Sequence, residues 1–322
     1  MGSEMCIRDR MMAAIKDALR QARPPQGLPP DQVVIWRKNL EKQLMHDYGL
    51  DRPPWEKIFF RLRDVLFLNF GKADTMKSFV SQSREVKDII LEALPNTVIL
   101  FTTAQIIIIF VGIILGLQAA RRAGGILDRV ISLIAMISYS LPMWWVGMIM
   151  LMVFSYQLNI FPSQASLVYE AIRSANNSIE YLQIWIYYMA LPLITVVLVS
   201  FGGMAYITRN IVLGVLQEDY IMAARAKGLP ERRVLYGHVL RSASPPIVTM
   251  SALGIIGSLG GAIITETVFG WPGMGRVYWI AIQRGEIYVV LANTFMTVFL
   301  FVTTLVILDL IYGLLDPRVR IS

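Results

Sequence analysis

Five uncharged tracts decide what this chain can fold into: Ala93–Ala120, Val130–Tyr169, Tyr181–Thr208, Ser242–Thr265 and Ile287–Leu308. Each reaches the roughly 20 residues that a helix needs to cross about 30 Å of hydrocarbon. In lipid every backbone N–H and C=O must find a partner within the protein. A spanning segment is therefore a helix or a strand of a closed barrel. The alternation typical of barrel strands is absent from these tracts. The expected fold is all-α: a polytopic transmembrane helical bundle with five visible spans. Composition agrees, because only 16% of the 322 residues are charged, against about a quarter in an ordinary soluble domain.

The net charge of +7 raises the question of nucleic acid, but its distribution answers it. Arg121, Arg122 and Arg129 flank one loop. Arg209, Arg225, Lys227, Arg232, Arg233 and Arg241 fill another, and Arg318 and Arg320 sit in the tail. The intervening loops, Tyr156–Glu180 and Phe269–Glu286, are poorer in Lys and Arg. If the five helices alternate, all three basic regions fall on one face, as the positive-inside rule requires of the cytoplasmic side. The charge is thus a membrane-topology signal, and no nucleic-acid partner is expected. Cys6 is the only cysteine, which excludes an intramolecular disulfide or a multi-cysteine metal site. Residues 1–10 read as a non-native lead-in, foreign to the rest of the chain.

Residues 11–93 are a polar to amphipathic region expected on the extracytoplasmic side. Pro24, Pro25, Pro29 and Pro30 interrupt any early helix. Val33–Tyr48 reads as an amphipathic helix with Gly49 as its C-cap, and Trp55–Phe70 as a second short helix. The spans are expected at about Asn96–Gln118, Val130–Phe154, Ile184–Ile207, Pro246–Thr265 and Val289–Leu310. Leu141-Pro142 interrupts the second. Gly254, Gly257, Gly260 and Gly261 give the fourth a small-residue surface that would allow close helix approach. The membrane domain is placed at 94–315, with a basic loop at 209–245 and a cytoplasmic tail at 316–322.

Within that loop, Val215–Lys227 should be a short helix, favoured by Ala223, Ala224 and Ala226. Gly228 falls where a left-handed residue ends a helix, and Pro230 where the next one starts. Glu231–Leu240 would be that second helix, lying with the first along the cytoplasmic face. Small alanines let such an element enter a groove on another protein. Asp219 at one end and Arg225 and Lys227 at the other can set its register by charge. The plainer reading is an amphipathic interfacial helix.

The run Asp219-Tyr-Ile-Met-Ala-Ala-Arg-Ala-Lys-Gly-Leu229 resembles the coupling loop of ABC importer permeases, in the branch that imports di- and oligopeptides or nickel. Further stretches are similar to that branch: Gly49-Leu-Asp-Arg-Pro53, Leu94-Pro-Asn-Thr97, Ser140-Leu-Pro142, Phe161-Pro162, Glu266-Thr-Val-Phe-Gly-Trp-Pro-Gly-Met-Gly275 and Leu315-Asp-Pro-Arg318. The resemblance runs from about Gly49 to the end. It implies the type I permease fold, ATPase coupling through Asp219, Tyr220, Ala223, Ala224, Arg225, Lys227, Gly228 and Leu229, and residence in the cytoplasmic membrane of a prokaryote. It also implies four kinds of partner: a second related permease, two ABC ATPase subunits that hold the ATP and Mg²⁺, an extracytoplasmic solute-binding protein, and membrane lipid. No cofactor is expected on this chain. The branch normally carries one more span at its start, and none is visible here, so a truncated sequence is the simplest expectation. The alternative function is a truncated or transport-inactive membrane scaffold.

Glu266, Arg276 and Arg284 are the candidate outer-gate or binding-protein contacts. For Glu266 a path-lining role competes with bonding to the turn after it, and the second is favoured because Gly270, Pro272 and Gly273 place that turn. Trp144, Trp145, Trp185 and Trp271 are expected to anchor or pack. Asp309 is read as structural. His46 and His238 are isolated and lack metal-ligand spacing. Asn176-Asn-Ser178 matches a glycosylation sequon of little weight here. No Gly-x-x-x-x-Gly-Lys-[Ser/Thr] loop is present, so nucleotide phosphates are not cradled in that way. The expected role is transport, with ATP hydrolysis on partner chains.

Overall fold

The computed structural model describes residues 62–315 without a break, residues 29–47, and residues 12, 15, 16, 19, 22, 24 and 56 individually. Residues 1–10, the Gly49–Pro53 stretch and the tail 316–322 lie outside the described residues. The chain divides after Asn69 into two units. In the first, helix α1 spans Pro30–Asp47. It starts ahead of the expected Val33 because a proline in the first turn loses only an N–H that has no helical partner. The expected second helix is described at 62–66 and gives way to a turn at 67–68.

The second unit is built on two long helices, α2 (Val86–Arg121) and α5 (Ser178–Leu216). They hold 36 and 39 residues, so at 1.5 Å per residue both outrun the hydrocarbon layer. Gly112 and Gly116 of α2 press against Met204, Ala205 and Thr208 of α5. A Cβ on Gly116 would lie 2.5 Å from the Ala205 carbonyl oxygen. At the other end, Trp271 packs edge-on against Trp185 of α5 and bonds the Asn96 carbonyl of α2. The two helices therefore run parallel, and the chain between them must return across the layer.

That return is α3 (Ile126–Ser140) and α4 (Met143–Gln157), which meet at 97°. Pro142 is the N-cap of α4. The ring withholds an N–H and disfavours helix at Leu141, so the expected interruption becomes a full break. Gly202 of α5 lets α3 approach to Ser138 and Ala135. Asn177 caps α5 by accepting from the Glu180 N–H at 2.8 Å, while the Glu180 carboxylate accepts from the Asn176 N–H at 2.8 Å. The sequon residues thus serve as a helix cap.

Past a short helix α6 (Asp219–Ala226) comes a correction. Glu231–Leu240 is not a separate helix followed by a span at Pro246–Thr265. One helix, α7, runs Glu231–Ser258. It contains a π-helical turn at Val234–Val239 and passes through Pro245 and Pro246. Ser244 Oγ donates to the Arg241 carbonyl at 2.9 Å, supplying a donor that Pro245 cannot. The chain then breaks at Gly261, which has φ +66°. Short helices α8 (Ile263–Phe269) and α9 (Met274–Arg284) follow, then α10 (Ile287–Leu315). Of the expected small-residue surface, Gly254 meets Gln105, whereas a Cβ on Gly257 would have nothing within 4 Å. Among the described residues, four helices are long and apolar enough to span, or five spans with the α3–α4 pair.

Gly116→Val is expected to destabilise the bundle by about 1–3 kcal/mol, the usual range for overpacking. Gly214→Val, where a Cβ meets nothing within 4 Å, should leave stability nearly unchanged. Thermal unfolding of both variants in detergent measures the difference.

Candidate functional site

Helix α6 is eight residues long, too short to hold itself together in water. Its shape is imposed at both ends and along one face. Gly228 has φ +76°, a conformation that costs other residues roughly 1–2 kcal/mol. Its N–H donates to the Arg225 carbonyl at 2.9 Å, and the Leu229 N–H reaches Ala224 at 3.4 Å. This is the Schellman pattern, in which the residue after the glycine also makes an apolar contact back to the helix. Ile221 is fully buried and joins Val212 of α5 with Val234, Leu235 and Val239 of α7 in one cluster. Helix α6 is thereby packed onto both spans that it connects.

The predicted residues divide on this helix. Asp219, Tyr220, Ala223, Arg225, Lys227 and Gly228 are exposed. Ala224 is buried and Leu229 packs against the core. Arg225 pairs with Glu231 across the turn at 2.7 Å, so part of its charge is engaged internally. Sequence reasoning does not single out the anchor, Ile221. Its signal is a large aliphatic residue three positions before Ala224, on the same helix face.

At the opposite end of the bundle, two sequence stretches that matched separately form one site. Glu266 of α8 is fully buried. Thr97 Oγ1 donates to its Oε1 at 3.0 Å, and the Arg276 N–H donates to its Oε2 at 3.1 Å. Thr97 Oγ1 also accepts from the Met274 N–H at 2.7 Å. Asn96 Nδ2 donates to the Pro272 carbonyl at 2.7 Å and to the Tyr169 hydroxyl at 2.6 Å. Asn293 of α10 ties in by donating to the Met274 carbonyl at 2.8 Å. A Cβ on Gly273 would collide with Glu266 and Thr97, so the close approach demands glycine there. The Glu266 carboxyl therefore bonds α2 and the first turn of α9, beyond the Gly270–Gly273 turn. Arg276 also looks inward, donating from Nη1 to the Gly270 carbonyl at 2.6 Å. Arg284 is exposed.

Three charged groups, at two places, carry geometry that sequence reasoning missed. Asp128 of α3 and Arg209 of α5 form a two-pronged ion pair, with Arg209 Nη2 at 2.7 Å from Asp128 Oδ2. Asp128 also accepts from the Gly124 N–H at 2.9 Å. This pair locks α3 to α5 beside α6. Glu286, in the turn before α10, accepts from the backbone N–H groups of Asp74 at 2.9 Å and Met76 at 2.9 Å, from the Thr75 N–H, and from Thr75 Oγ1 at 2.8 Å. Burial alone pushes the Glu286 carboxyl up. The bonds from residues 74–76 outweigh it and hold the carboxyl below its ordinary value. No local pattern signals this contact, because its partners lie more than 200 residues apart.

Residues 90–321 match the family described as "Binding-protein-dependent transport system inner membrane component". The chain belongs to this family. It is 31% identical over 279 residues to the oligopeptide transport system permease protein AppB of Bacillus subtilis, covering 87% of this chain and 84% of that protein. It is 32% identical over 292 residues to the dipeptide transport system permease protein DppB of Escherichia coli K12, covering 86% and 84%. The di/tripeptide transport system permease protein DppB of Pseudomonas aeruginosa is 29% identical over 308 residues, covering 90% and 89%. The family match takes in α6, the Glu266 cluster and all the long helices of the second unit. A multi-pass membrane protein and a transport subunit are what this membership and these apolar helices describe.

For this inner-membrane component, folding is coupled to the deprotonated form of Glu286. Its folded value is depressed, so its stabilisation is present above the ordinary value of 4.5 and fades as the pH falls through the lower folded value. Limited proteolysis at residues 74–76 should accelerate as pH drops below that range. Glu286→Gln should already be cleaved faster at neutral pH.

Proposed function

We propose that this chain is the permease subunit of an ABC importer that carries di- and oligopeptides across the cytoplasmic membrane of a prokaryote. The observation that carries the reading is the fusion of α6 to α5 and α7 through Ile221, with Tyr220 and Ala223 left facing outward. A partner that grips the exposed face moves two spanning helices at once. The basic end of the bundle is then cytoplasmic, and ATPase subunits dock there on Asp219, Tyr220, Ala223, Arg225, Lys227 and Gly228. Ala224 and Leu229 act from behind, by holding the helix in place. Cargo is taken as peptide rather than nickel because the relatives are named for peptides.

The mechanism is alternating access, which requires a rigid element with two positions biased by a ligand. Closure of the ATPases around ATP shifts α6, and the linked α5 and α7 tilt to open the path outward. Hydrolysis reverses the motion. A second permease completes the path, and a solute-binding protein delivers cargo at the Glu266 end. Arg284 is an exposed cation there for that contact; Glu266 and Arg276 shape the surface from within.

Gly228→Pro removes the 2.9 Å bond to Arg225 and forbids the positive φ. In membranes holding the companion subunits, it should cut co-purification of the ATPase and peptide uptake at least tenfold. Wild-type chain that inserts stably yet never retains an ATPase would overturn the importer reading in favour of a scaffold. Ala223→Trp, on the exposed face, should lower ATPase recovery without changing thermal stability. Ala224→Trp should lower both.

A further inference from the structure

Membrane helices tolerate polar side chains only where a partner, water or cargo meets them. From Val98 to Leu117, α2 carries polar side chains only at Thr102, Thr103 and Gln105. Gln105 lies nine residues from Asn96 and sixteen from Arg121, or roughly 13 Å and 24 Å along the helix. It is thus well inside the membrane layer. Its amide makes no hydrogen bond among the described residues, and its side chain is only half-buried.

The neighbouring groups form a seam. Gly254 of α7 is the residue that makes room for the amide, since a Cβ there would collide with Gln105 Nε2. Thr102 Oγ1 and Ser258 Oγ pair across α2 and α7 at 3.3 Å. Thr102 is three residues before Gln105, and Ser258 four after Gly254, so the two contacts share one face of each helix. On the third helix, α10, Thr297 approaches the Gly260 position. Gly257 beside it is open.

We propose that Gln105, with the Thr102–Ser258 pair, forms part of the wall of the translocation path and hydrogen-bonds the backbone amides of passing peptides; the cargo half of this proposal rests on the peptide reading above. A glutamine that serves packing in lipid bonds a neighbouring helix. Gln105 reaches none among the described residues, and a polar group at membrane depth without a protein partner faces water or cargo. A carboxamide offers donors and an acceptor together, so it can pair with both the C=O and the N–H of a peptide bond. The seam carries no charge. It suits a group that every peptide shares, whatever its side chains.

The test is thiol accessibility in the assembled transporter. With Cys6 replaced by Ser, the chain has no other cysteine. Gln105→Cys, Ser258→Cys and, as a control on another face of α2, Phe110→Cys are treated in membrane vesicles with a charged, membrane-impermeant methanethiosulfonate. Phe110 is 65% exposed, so slow labelling there reports lipid rather than burial. Labelling of Gln105→Cys and Ser258→Cys at least tenfold faster than Phe110→Cys is the expected result. Equal or slower labelling overturns the path and leaves the seam as a contact with the second permease. Trialanine, presented with the binding protein, should protect Gln105→Cys. Where the unaltered transporter takes up trialanine, rapid labelling without protection overturns amide recognition. Where it takes up none, the peptide reading fails while labelling still decides the path.

Discussion

The close packing of α2 on α5 is the contact on which most of the second unit depends. Lipid chains are as apolar as leucine, so spanning helices gain little from hiding leucines against each other. They associate where backbones can approach, and Gly112 and Gly116 allow that against Met204, Ala205 and Thr208. Because this packing is parallel, the chain between the two helices has to recross the layer. That forces the α3–α4 return, whose direction is changed by 97° at Leu141–Pro142. The return brings Asp128 beside Arg209, and the ion pair holds α3 at the end of α5 from which α6 emerges.

The other end obeys a second constraint. Non-helical backbone near the membrane survives only where protein supplies its hydrogen bonds. Between α7 and α9 the chain turns twice, at Gly261 and Gly270. The groups freed there are met by Asn96, Thr97, Glu266 and Arg276. A buried carboxyl group needs partners for its oxygens, and both Glu266 oxygens have one. The cluster is a solid cap joining α2, α8, α9 and α10, and Glu286 fastens residues 74–76 to the same end. The two ends of the bundle are thus braced by different means, a packed short helix at one and a polar knot at the other.

Several of these features were legible as residues but not as relationships. Gly228 and Pro230 announced the end of α6 and the start of α7, because helix caps are local chemistry. The continuity of α7 was not legible. Glu231–Leu240 and Pro246–Thr265 read as two separate helices, yet a π turn and the Ser244 hydroxyl carry one helix through. Leu94–Thr97 and Glu266–Gly275 read as separate stretches, though they make one cluster. Ala223 and Ala224 are neighbours of the same type, and only the rotation of α6 shows that one faces out while the other is buried.

By itself the sequence determined the class of the protein. Uncharged length dictates spanning helices, and the Asp219–Leu229 run marks the short helix at the basic end. These depend on solvation and local backbone preference, which act residue by residue. Tertiary structure decided the rest: the parallel pairing of α2 with α5, the Asp128–Arg209 lock, the Glu286 tether and the Gln105 amide, which has no partner among the described residues. Each depends on helix rotation and on contacts between residues far apart in the chain. Periodicity cannot supply that rotation when a helix is apolar on nearly every side.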